Sequence, residues 1–406
     1  MNKTTGALIV GGNLNGLSIA RSLGRNHVPV WVVSPPNIRL ASFSRYTRRT
    51  LPWPTGDDET QAEYLLEVAA RNNLDQWVLF PTSDETAALL SRFHSKLSRR
   101  FRVSAPTWNV LRWAYDKRLT YRLAADHHVD YPQTFYPLTD ADLEGVNCDF
   151  PAILKPAIHA SVNRLTEDKA WRVANHEELL LRYREARELM PADLILVQEM
   201  IPGGGESQFS YAALCCDGKP IASLTARRTR QYPIDFGYSS SFVETLDVPE
   251  IVAPSERLLA AMRYNGIVEV EYKFDARNGR YKLLDINPRL WTWSPLGGRA
   301  GMDFPYLLWK MMQRMPLARQ TAPPGVRWVR MSTDVPAALQ EMLRGRLNLR
   351  SYLRSLRGPL QFALVSADDP LPGLMDLPIF AFKHIYNAYS SLRKNTAAAR
   401  RCPVKN

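Results

Sequence analysis

Residues 266–291 constrain this chain more than any other stretch. They read Gly-Ile-Val-Glu-Val-Glu-Tyr-Lys-Phe-Asp-Ala-Arg-Asn-Gly-Arg-Tyr-Lys-Leu-Leu-Asp-Ile-Asn-Pro-Arg-Leu-Trp. Val268, Val270, Tyr272 and Phe274 alternate with Glu269, Glu271, Lys273 and Asp275, the period of a half-buried strand. Tyr281 to Asn287 alternates too, and Ala276-Arg277-Asn278-Gly279 between the runs predicts a hairpin. The length of the connection decides the chemistry. A two-residue Asn-Gly turn sets Glu271 opposite Ile286 and puts Glu271 and Asp285 on opposite faces. A three-residue Arg277-Asn278-Gly279 loop, with Gly279 left-handed in a G1 bulge, pairs Glu271 with Asp285 and Glu269 with Asn287. All four then share one face. Carboxylates plus a carboxamide oxygen, with no thiol or imidazole, make a hard-oxygen donor set suited to Mg²⁺ and substrate phosphates. The competing explanation is a solvated face whose charges Lys273 and Arg280 balance.

Glu271 followed by Asp285-Ile286-Asn287-Pro288-Arg289-Leu290-Trp291 resembles the metal-binding signature of the ATP-grasp superfamily, in particular its carboxylate-amine ligases. Asp285 stands where that family usually carries Glu. The resemblance implies an α/β protein with a Rossmann-like (pre-ATP-grasp) domain over residues 1–107. An ATP-grasp domain of two α+β subdomains follows over 108–315, and a basic C-terminal extension over 316–406. It implies ATP and Mg²⁺ as cofactors, a small-molecule or peptide carboxylate and an amine acceptor as substrates, and an acyl phosphate between them. Glu271, Asp285 and Asn287 are then the metal ligands, and Arg289 stabilises the acyl phosphate.

Upstream segments supply the remaining parts of that pattern. Residues 108–127 have helical spacing and carry Lys117 before Tyr131-Pro132-Gln133-Thr134, resembling the family's first phosphate lysine. Pro151-Ala-Ile-Leu-Lys155-Pro156 is a buried strand ending in a lysine, the place of the second. A lysine interrupting an apolar strand is costly to bury without an anion, so a functional role suits Lys155 on physical grounds also. The next segment, 157–163, takes the place of the phosphate-covering loop but has no glycine, leaving Ser161, Asn163 and Lys169 as possible side-chain donors. Leu194 to Met200 is a strand running into Ile201-Pro-Gly-Gly-Gly-Glu206. Glu199, Met200 and Ile201 match the family's adenine hinge and Glu206 its ribose-binding acid. Arg227 and Arg230 in Thr225-Ala-Arg227-Arg228-Thr-Arg230-Gln-Tyr-Pro233 resemble a substrate-neutralising element; without the resemblance, they guard a strand edge.

The N-terminal segment reads as a strand, a glycine-rich turn, a helix over 14–25 and a second strand. Gly11-Gly12-Asn13-Leu14-Asn15-Gly16 nearly matches a dinucleotide fingerprint, but Asn13 replaces the central glycine and Val33-Ser34-Pro35 lacks the acid expected after strand two. The turn is read as structural; a nicotinamide or flavin oxidoreductase built on it, and a non-catalytic nucleotide-binding protein, are the rival readings. Thr82-Ser83-Asp84-Glu85, at a strand's carboxyl end, is either a helix cap or a lining of the acceptor pocket. Gly297-Gly298-Arg299-Ala300-Gly301 either closes that pocket or makes a turn.

Four cysteines without pairing or metal spacing, no signal-peptide pattern and no membrane-length apolar run predict a cytoplasmic protein. Of the net charge of +12, +9 falls in residues 316–406, with 14 Lys and Arg against 5 Asp and Glu. With Trp328, Tyr352, Phe362, Phe380, Phe382, Tyr386 and Tyr389, that region either meets an anionic membrane surface or an anionic substrate, or combines charge for solubility with ordinary core aromatics. No nucleic-acid-binding module is present.

Overall fold

The computed structural model describes residues 5–158, 163–234 and 239–376. Ser161, Phe380, Phe382, Tyr386, Tyr389 and Cys402 lie outside the described residues. The apolar run Ala7–Val10 (β1) is buried throughout and forms the middle of a parallel sheet with Val30–Ser34 (β2), Thr47–Pro52 (β3), Val78–Pro81 (β4) and Arg102–Val103 (β5), ordered β3-β2-β1-β4-β5. The glycine-rich turn after β1 is filled by the chain itself. Gly11 takes φ +120°, and a Cβ there would meet Thr82 Oγ1 at 1.9 Å; a Cβ on Gly12 would meet the Ile38 carbonyl at 2.3 Å. Asn13 caps the helix Leu14–Arg25 by accepting from Gly16 N (3.1 Å). The glycines thus answer to packing, as the structural reading expects.

The second sheet is antiparallel and carries the hinge strand. Thr134–Phe135 (β6), Ala152–Pro156 (β7), Trp171–Val173 (β8) and Ile195–Glu199 (β9) are ordered β6-β9-β7-β8. Before it, the single helix expected over 108–127 is two, Trp108–Tyr115 and Lys117–Asp126. Asp116 breaks them apart: it leaves the helical region (φ −104°, ψ 112°) and its carboxylate caps the second helix at Arg118 N (2.9 Å). Lys117 therefore starts a helix instead of sitting mid-way along one.

The third sheet holds Gln208–Cys216 (β10), Lys219–Tyr232 (β11), Ser239–Thr245 (β12), Gly266–Asp275 (β13) and Arg280–Asn287 (β14). Three more strands, Gln320–Thr321 (β15), Arg327–Val329 (β16) and Leu360–Phe362 (β17), come from beyond residue 316. The order is β14-β13-β10-β11-β12-β16-β17, with β15 beside β11. One face packs on the helix Leu14–Arg25, so Leu17, Ala20 and Leu23 share a core with Leu224, Trp291, Trp293 and Trp328. The other face is covered by the helix Pro249–Ala261.

Residues 316–376 are built into this body. Asp334 is fully buried and pairs with both sides of the Arg230 guanidinium (2.8 and 2.9 Å). Asp369 receives Arg21 Nε (2.8 Å), Ser44 Oγ (2.7 Å) and Arg45 N (2.9 Å), joining the far end of the chain to the first helix. Trp328 and Tyr352 are core residues and unavailable to a membrane.

Candidate active site

The hairpin places Glu271 opposite Asp285 and Glu269 opposite Asn287, through a different device from the expected three-residue loop. The last pair at the turn is Asp275 with Arg280, leaving a four-residue loop that Gly279 closes at φ +69°. Carried on unbroken, that register would set Glu271 opposite Leu284 and turn Asp285 to the other face. A bulge prevents this. Tyr272 pairs with Leu283 and Glu271 with Asp285, so Leu284 is the extra residue. Its carbonyl accepts from Tyr121 Oη (2.8 Å), and Leu283 N donates to Asp130 O (2.7 Å).

The four polar side chains open into a cavity of about 450 Å³ between the three sheets. Glu269 lies deepest. Its carboxylate accepts from Ser210 Oγ (2.9 Å), Trp293 Nε1 (3.1 Å) and Asn287 Nδ2 (3.1 Å), and burial, with Glu271 beside it, pushes its pKa up to about 7. Because Asn287 Nδ2 is shared between Glu269 and Glu271 (2.8 Å), Oδ1 turns toward Arg289 Nη2 (3.2 Å). Glu269 therefore orients the carboxamide and is itself shielded.

Cations from three directions face these acids. Lys117 Nζ donates to Asp285 Oδ2 (2.8 Å), and its pKa is raised by Asp285 against the opposing pull of burial. Lys155, 8% exposed, donates to Tyr121 Oη (2.7 Å), and burial drives its pKa down to about 7, with Lys117 adding to the effect. Lys169 also lines the cavity; burial by its surroundings and nearby Arg228 lower it to about 8. Asn163 is committed elsewhere, capping the helix Arg164–Asp168 through Thr166 N (3.0 Å).

Arg289 bridges to the helix that follows β4. Its guanidinium meets Asp84 at 3.0 Å, and Asp84 and Glu85 line the cavity while Ser83 caps their helix, so the segment is a helix cap that also reaches the cavity. Asn15 Nδ2 fixes the junction by donating to Thr82 O (3.0 Å) and Leu290 O (2.9 Å).

Three sequence-derived positions, Arg227, Arg230 and Glu206, sit differently from expectation. Arg227 pairs with Glu244 (2.6 Å) and Arg230 with buried Asp334, and neither lines the cavity; β11 is a 14-residue strand whose alternation sends Arg228 there instead. Arg228 reaches Gln208 Oε1 (2.6 Å) and Glu271 Oε1 (3.3 Å). The Glu199 carboxylate is tied to Lys282, Arg277 Nη2 (2.8 Å) and Gln133 N (3.0 Å). The Glu199 side chain is thus occupied, which leaves the backbone of residues 199–201 as the part the hinge reading calls on. Exposed Glu206 accepts from Gly204 N (2.9 Å) and lines a separate cavity of about 310 Å³ with Arg230, Gln231 and Arg346. Gly297 to Gly301 form a short helix end and turn outside the main cavity.

The donor set suits Mg²⁺. Among the described residues no three His, Cys, Asp or Glu side chains converge as a ready-made cation site. Two carboxylates and one carboxamide oxygen leave the other positions of an octahedron to phosphate and water, the usual arrangement for this ion.

No family model matches the chain. Over 305 residues, 70% of this chain and 70% of the relative, it is 21% identical to a D-aspartate ligase of Enterococcus faecium (strain Aus0004). The crystal structure of an L-amino acid ligase from Bacillus licheniformis superposes with a TM-score of 0.59 at 14% identity, covering 78% of this chain and 76% of that one. An ADP complex of N5-carboxyaminoimidazole ribonucleotide synthetase gives 0.63 at 13% identity over 85% and 86%. The sheet topology and these likenesses show that this chain has the fold those enzymes share.

Proposed function

We propose that this protein is an ATP-dependent carboxylate-amine ligase. A carboxylate oxygen of one substrate attacks the γ-phosphorus of ATP and ADP leaves. The amine of a second substrate then attacks the acyl carbon, phosphate departs, and an amide remains. The observation that carries this reading is the convergence of Lys117, Lys155, the Glu271-Asp285-Asn287 face and Arg289 on one cavity. Phosphoryl transfer needs positioning and charge stabilisation more than protein nucleophiles, and the cavity offers those two things.

Lys117 and Lys155 hold phosphate oxygens. Mg²⁺ held by Glu271, Asp285 and Asn287 would neutralise phosphate charge and align the transferred group. Arg289, fixed by Asp84 and Asn287, presents its positive edge where the acyl phosphate forms, and Arg228 supports it from the opposite wall. Asp84 and Glu85 supply negative charge from the first domain, suited to the approaching amine. The unpaired thiols Cys148, Cys215 and Cys216 and the demand for ATP support a cytoplasmic site of action.

The test is ADP release with MgATP across pairs of carboxylates and amines, small amino acids and peptides first. Release requiring both partners, with a mass equal to the amide, is expected. ADP release that never depends on a carboxylate would refute the reading.

A further inference from the structure

We propose that the face formed by the helices Met331–Leu343 and Leu349–Ser355 docks this protein on an anionic membrane surface. Apolar residues on a helix at spacings of four normally point at a core. Here they point outward. Val335, Leu339 and Leu343 form such a stripe and are 38%, 54% and 88% exposed; Leu349 and Leu353 form another on the next helix, 61% and 51% exposed. The inner faces of both helices are satisfied, with Ala337, Ala338 and Tyr352 buried. These four leucines and one valine are therefore surplus to the fold, and five exposed apolar side chains within 19 residues exceed the scattered apolar residues of an ordinary surface.

Charge identifies the occupant. Arg344, Arg346, Arg350, Arg354 and Arg357 are exposed around the leucines. The two acids between residues 331 and 359 are turned away: Asp334 is buried on Arg230, and Glu341 is mostly buried beside Arg346. Residues 377–406 carry six more Lys and Arg and no Asp or Glu. Same-sign charge disfavours the basic residues 393–406, or a second copy of this face, as the cover. An anionic lipid surface accepts both. Leucines entering the headgroup boundary and arginines at the phosphates are the two signals that stable peripheral binding requires. None of these residues lines the main cavity, so docking leaves the site free to turn over.

Flotation of the full-length protein with vesicles tests this. It should float with phosphatidylcholine vesicles containing phosphatidylglycerol, not with phosphatidylcholine alone, and flotation should fall as salt rises. At about fivefold per charge, Arg350→Gln with Arg354→Gln should weaken partition roughly thirtyfold. Leu343→Glu with Leu349→Glu should abolish it while melting temperature and ADP release stay at wild-type values. Equal flotation with neutral vesicles, or wild-type flotation of the leucine variant, would overturn the proposal. So would failure of Leu343→Cys to react with a thiol reagent in vesicle-free protein, read by peptide mass, since the face would then already be covered.

Discussion

Alkaline pH should weaken ATP binding, and the weakening should come chiefly from Lys155. Its ammonium has one hydrogen-bond partner, the neutral Tyr121 hydroxyl, and a pKa pushed to about 7 from the usual 10.5. A bound phosphate restores the charged form, so binding above that pH must take up a proton. The recharging cost is about 1.4 kcal/mol for each pH unit above the free-site value, a loss of about a hundredfold in affinity between about pH 6 and about pH 9. Lys169 acts in the same direction but, being more open to water, contributes less. Titration calorimetry at about pH 8 in two buffers of different ionisation enthalpy should report about 0.9 proton taken up per ATP. Lys155→Met should flatten the profile. The unliganded fold slopes the other way. Between about pH 7 and the usual 10.5 the unfolded chain holds more protons at this residue, so stability without ligand rises with pH. An affinity flat over the whole range, with no proton uptake, would refute this account of Lys155.

Three further outcomes follow from the geometry. Asp285→Ala and Asn287→Ala should each abolish Mg²⁺-dependent ADP release without altering the far-ultraviolet circular dichroism spectrum. Arg228→Met should lower kcat by about a hundredfold, the usual effect of losing one stabilising donor, whereas Arg227→Met should leave kcat unchanged. Asp369→Ala strands the buried Arg21 charge and should cost about 3–5 kcal/mol, a melting temperature lower by about 4–6 °C for a chain of this size, read by calorimetry.

Much of this architecture was written locally. The parallel sheet of the first domain follows from short apolar runs alternating with helical spacing, and its exposed, basic edge strand β3 was the piece without such a signal. The shared face of Glu271, Asp285 and Asn287 is legible as alternation, yet its register depends on Leu284. That bulge is held by a tyrosine 163 residues earlier, beyond the reach of any local pattern. Arg228 could be separated from Arg227 and Arg230 only by knowing that β11 continues to Tyr232, because alternation has no phase until the strand's extent is known. In the tail, composition leaves a membrane contact and ordinary core aromatics equally open; Trp328 and Tyr352 are buried, while several leucines are outside.

The bond between Arg21 and Asp369 spans 348 residues. During synthesis the first helix emerges long before its partner exists, and at about 5–20 residues per second the wait is roughly 20–70 s. Throughout that interval the helix carries a guanidinium without its acid. Asp369 thus closes the core around the first helix only after every strand of the three described sheets has been made.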